Sequence, residues 1–158
     1  MNPGADVSSI PALSHWHADL TTFRTEATES LASIALAIQQ ASNWLEEKLN
    51  FWQRETRSAD EAVVQARAEL SNRQFEDFRG RIPDCTVQEE NLRRAEARLE
   101  HAQEQIRVVR HWLVHLPRLV NEAYEGHARR LMRFLEGDIP RGLALLDQRI
   151  RSLEAYAK

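Results

Sequence analysis

His111 and His115 stand four residues apart in "HWLVH", and a helix would project both from one face. Zinc hydrolases open their metal site with that spacing, the glutamate beside the first histidine acting as general base. Trp112 occupies that position here, and the single cysteine, Cys85, is far away in sequence. A structural zinc would need further thiolate, imidazole or carboxylate ligands. His15 and His17, in "HWH", lie near a helix start, where Trp16 could tuck inward. His101 and His127 are isolated.

Carboxylates are plentiful: Glu46, Glu47, Asp60, Glu61, Glu89, Glu90, Glu96, Glu100 and Glu104. A di-metal carboxylate bundle uses Glu-x-x-His pairs on inward faces. The chain contains none, and its acids alternate with arginines at spacings that suit solvated i,i+4 pairs. There is no Gly-rich phosphate loop, and no histidine near Cys85 to activate a thiol. The residues therefore predict no catalytic site, no metal and no cofactor.

Composition narrows the partner classes. Of 158 residues, 21 are basic and 24 acidic, giving a net charge of −3. Such a balance argues against a dedicated nucleic-acid binder. Seven basic and twelve acidic residues precede Gly80, while fourteen and twelve follow from it, so the halves carry −5 and +2. Arg129, Arg130 and Arg133, then Arg141, Arg149 and Arg151, contribute to the positive side. The simplest reading sets the basic half against the acidic half. No run of about 20 apolar residues predicts a membrane span. The lone cysteine and a start without a signal-peptide pattern point to the cytoplasm.

The elements that would carry these residues are helical. Residues 1–13 hold Pro3, Gly4, Ser8, Ser9 and Pro11 and read as a lead-in. From Ser14 to Arg79 there is neither proline nor glycine. An apolar or small stripe runs Leu20, Phe23, Ala27, Leu31, Ile34, Ile38, Ala41, Leu45, Leu49, Trp52, then Ala59, Val63, Ala66 and Leu70. Its steps of three and four are the α-helical period. "RGRIPDC" breaks the chain, and Thr86 with Glu89 offers a capping box for a second helix. Leu92, Ala95, Leu99, Ala102, Ile106, Val109, Leu113 and Leu116 form an unbroken heptad, the signature of a coiled-coil seam. The pattern continues through Val120, Tyr124, Leu131 and Leu135. Gly137 and Asp138 then read as a stop and a new cap before a last helix with Leu143, Leu146, Ile150 and Leu153. Helices over 14–79, 87–136 and 139–157 follow, with no strand.

A turn at 80–86 makes the first two helices an antiparallel hairpin whose facing residue numbers sum to roughly 164. That register sets Trp52 level with Trp112, a junction where a thin, charged stalk meets a thicker base. "LASIALAI", residues 31–38, is apolar or small all round and calls for neighbours on more than one side. The fold class is therefore all-α: a long antiparallel hairpin, a coiled-coil-like stalk projecting about 45 Å, on a base of three or more helices within one domain over 14–158. His111 and His115 fall on outward positions of the heptad.

A stalk costs ordering entropy without enclosing a pocket. The expected role is thus a non-enzymatic interaction or assembly protein, binding a protein partner or its own copies. The tip, with Phe78, Arg79, Arg81, Ile82 and Cys85, is the candidate contact. A small helical accessory of a bacterial secretion, toxin or defence system, serving as substrate, chaperone or neutralising partner, is the alternative. A scaffold on a lipid surface would need a basic amphipathic anchor, and the N-terminal segment carries Asp6 and Asp19 before its first arginine.

Overall fold

The computed structural model describes residues 9–75, 80 and 83–156. Those residues form helices and their connections, with no strand among them. Helix α1 spans Ile10–Arg73 and α2 Thr86–Val120; α3, Gly126–Arg133, and α4, Ile139–Tyr156, follow. Wide π-helical turns occupy Asn121–Glu125 and Phe134–Asp138. The chain divides into two compact units, Gln40–Arg118 and the pair of segments ending at Gln39 and beginning at Leu119. Both boundaries lie nearer the termini than the expected junction at Trp52 and Trp112.

Helix α1 begins earlier than its breakers suggest. The Ser9 hydroxyl accepts the Ala12 N–H at 3.4 Å, and Pro11 sits in the first turn, where its missing N–H costs nothing. The helix then runs unbroken past Asn43. It ends at Arg73, six residues before the expected end, just after Leu70, the last member of its apolar stripe. Gly80 adopts φ +71°, the left-handed conformation that an L side chain enters at a cost. At the start of α2 the predicted capping box is replaced by an Asx turn. Asp84 Oδ1 accepts the Thr86 N–H at 3.0 Å and the Thr86 hydroxyl at 2.6 Å. Thr86 thus donates to the cap instead of forming it.

The Gln40–Arg118 unit is an antiparallel helical hairpin. Apart from Ala41, which is exposed, every residue of the expected seam in this unit is buried or half-buried: Leu45, Leu49, Trp52, Ala59, Val63, Ala66 and Leu70 on α1, and Leu92 through Leu116 on α2. Ala59 and Ala102 are fully enclosed, so the two backbones approach closely. Ion pairs flank the seam, Glu55 with Arg98 at 2.6 Å on one side and Arg67 with Glu96 at 2.9 Å on the other.

The register differs from the expected one. The facing pairs Trp52/His101, Glu55/Arg98, Ser58/Arg98 and Arg67/Glu96 sum to 153, 153, 156 and 163. Their mean, about 156, is roughly one heptad below 164, and a slip of seven leaves the same faces together. The early end of α1 moves the centre of the connection back along the chain and selects the lower register. Trp52 therefore meets the edge of His101, with ring centroids 5.5 Å apart, and not Trp112.

In the other unit, Leu31 packs with Leu135, Ile139 and Leu143, bordered by Leu20, Ala27, Tyr124, Ala128 and Met132. Tyr124 Oη donates to the Leu31 carbonyl at 3.2 Å. The expected break at Gly137–Asp138 is absent: both residues belong to a π-turn that α4 continues directly. Pro140 follows two residues later and offers no N–H to Glu136, while Ile139 reaches back five residues to the Phe134 carbonyl. No reversal therefore separates a third helix from the second.

The wide turns also explain the inward row Leu116, Val120, Tyr124, Ala128, Met132, Leu135, Ile139 and Leu143. Steps of four drift around an ordinary helix, and a turn wider by one residue restores the phase. In consequence Met132 faces inward and Leu131, which the simple period puts in the stripe, is 37% exposed. Leu153 likewise ends up exposed.

Candidate interaction surface

The histidine motifs do not assemble a ligand set. His111 and His115 stack face to face, centroids 4.0 Å apart, on the exposed side of α2, as the heptad requires. His101 lies against Trp52, and His127 Nδ1 faces the Arg130 guanidinium at 3.0 Å. Among the described residues no three metal-ligating side chains converge. Glu90 is held below the ordinary carboxylate range chiefly by its hydrogen bond from Arg94, with Arg93 adding to it. Asp84 is held low by the Thr86 hydroxyl first and the Thr86 N–H second. Both are explained by local pairing. Cys85 is half-buried, its thiol directed at the Pro83 carbonyl 3.4 Å away. Phe78, Arg79, Arg81 and Ile82, the other tip candidates, lie outside the described residues.

The residues that stand out are aromatic. In the hairpin unit Trp44 is 54% exposed, and Phe51 and Trp112 are each 45% exposed. Trp44 and Trp112 rise on either side of a shallow groove of about 260 Å³, which Ala41, Leu45 and Leu116 complete. Lys48 Nζ lies over two rings, 5.6 Å from the centre of Trp44 and 5.7 Å from that of Phe51. Both are cation–π contacts, in which Lys48 keeps its charge. Phe51 in turn meets Trp52 edge to face at 5.0 Å.

Helical spacing explains why these groups share a surface. Ala41, Trp44, Lys48 and Phe51 step by three and four, as a second seam one position ahead of the core seam Leu45, Leu49 and Trp52. Two rows seven residues apart make the relation explicit. Ala41 and Lys48 share a row with Glu55, and Trp112 shares one with Arg98. Glu55 and Arg98 are paired across the hairpin, so both rows lie on one flank. That flank is charged toward the tip and turns aromatic at Trp44 and Trp112. The opposite flank, marked by Arg67–Glu96, carries Glu46, Gln53 and Asp60 on α1, and Gln103 and Arg110 on α2.

The seven-residue spacing of the aromatics is the sequence signal that was available for this flank. The single apolar stripe of the sequence includes Phe23, Ile34 and Ala41; the structure leaves them exposed and buries Leu20, Ala27, Leu31 and Ile38 more deeply. Two adjacent seams merge into one stripe in the sequence because steps of three and four lead from either into the other. The Leu31–Ile38 segment, expected to be enclosed, leaves Ile34 and Leu36 open in its own unit.

Among the described residues no helix is long and apolar enough to cross a membrane. No family model, curated protein or solved structure matches this chain.

Proposed function

We propose that this chain is a non-enzymatic helical interaction and assembly protein, presenting its hairpin to a protein partner or to its own copies. The observation that supports this reading is the aromatic flank. Trp44, Phe51 and Trp112 lie outside the seam that holds the hairpin together, so folding does not account for their size. Contiguous exposed apolar groups of this kind mark contact surfaces, and tryptophan is among the residues that dominate binding energy. The near-balanced charge supports a protein partner over nucleic acid. The single cysteine, with no second thiol in the sequence for an internal bridge, supports a reducing, cytoplasmic setting.

Oxidative footprinting tests the reading. Trp44 and Trp112 are expected to be protected in the chain labelled inside its host cells, relative to the purified chain diluted to nanomolar concentration. Equal labelling in both states refutes it.

A further inference from the structure

We draw no further inference here: the strongest candidate, the shallow groove between Trp44 and Trp112 on the aromatic flank of the hairpin unit, is an unpartnered apolar face, and nothing in the structure shows what covers it.

Discussion

Leu135→Ala and Leu131→Ala, made separately, test the phase of the helix that follows Pro117. Leu135 is fully enclosed, against Leu31, Ile139 and Leu143, whereas Leu131 is 37% exposed. Truncating an enclosed leucine removes the transfer energy of three carbons and leaves a cavity, together costing about 3 kcal/mol. At Leu131 much of the side chain already meets water, so the cost is about 0.5 kcal/mol. For a domain of this length, 3 kcal/mol corresponds to a fall in Tm of about 6–12 °C. The assay is thermal melting by circular dichroism at one fixed chain concentration, because self-association would shift Tm by mass action. A simple 3.6-residue stripe would enclose both leucines and predict equal losses. Equal falls in Tm would refute the assignment of the wide turns as phase correctors.

Two further outcomes follow from the hairpin. Ala102→Leu is expected to destabilise by about 1–3 kcal/mol, because Ala102 is fully enclosed and larger side chains must force the backbones apart; Ala97→Leu, on the exposed side of the same helix, is expected to stay within about 0.5 kcal/mol in the same denaturant titration. Acid is expected to loosen the start of α2. Asp84 and Glu90 are both held below their ordinary values in the folded chain, so their stabilisation is present above the unfolded carboxylate range and is lost as pH falls through the folded pKa. Amide exchange at 86–90, measured on a pH-corrected scale, should show protection that is constant from pH 7 to pH 5 and falls below about pH 4. Protection that falls between pH 7 and pH 5 would contradict these assignments.

Much of the hairpin was legible because each residue of its seam obeys one rule. Leu92 to Leu116 repeats every seven residues without exception, and the structure turns all eight inward. The register was not legible for the same reason: a strict heptad is indifferent to a slip of seven, and the end of α1 at Arg73 decides it. The aromatic flank was visible in Trp44 and Phe51, seven residues apart. It was hidden by its neighbour seam, since Ala41 fits a core stripe as well as a surface one. The outward placement of His111 and His115 followed from the heptad alone, whereas the continuity through Gly137 did not. Glycine and a following proline ordinarily stop a helix, and only tertiary packing of Leu135 and Ile139 against Leu31 shows why this one continues.

The two π-turns have a consequence for how the chain can change in length. Removing one residue from an ordinary helix swings everything beyond it by about 100° and turns an apolar row toward water. Within Asn121–Glu125 or Phe134–Asp138 the same loss would convert a wide turn into a regular one, shortening a step of four to three. Every side chain downstream would keep its bearing. These segments act as slack in the helical thread, places where a single codon can be gained or shed while the rows on both sides stay aligned.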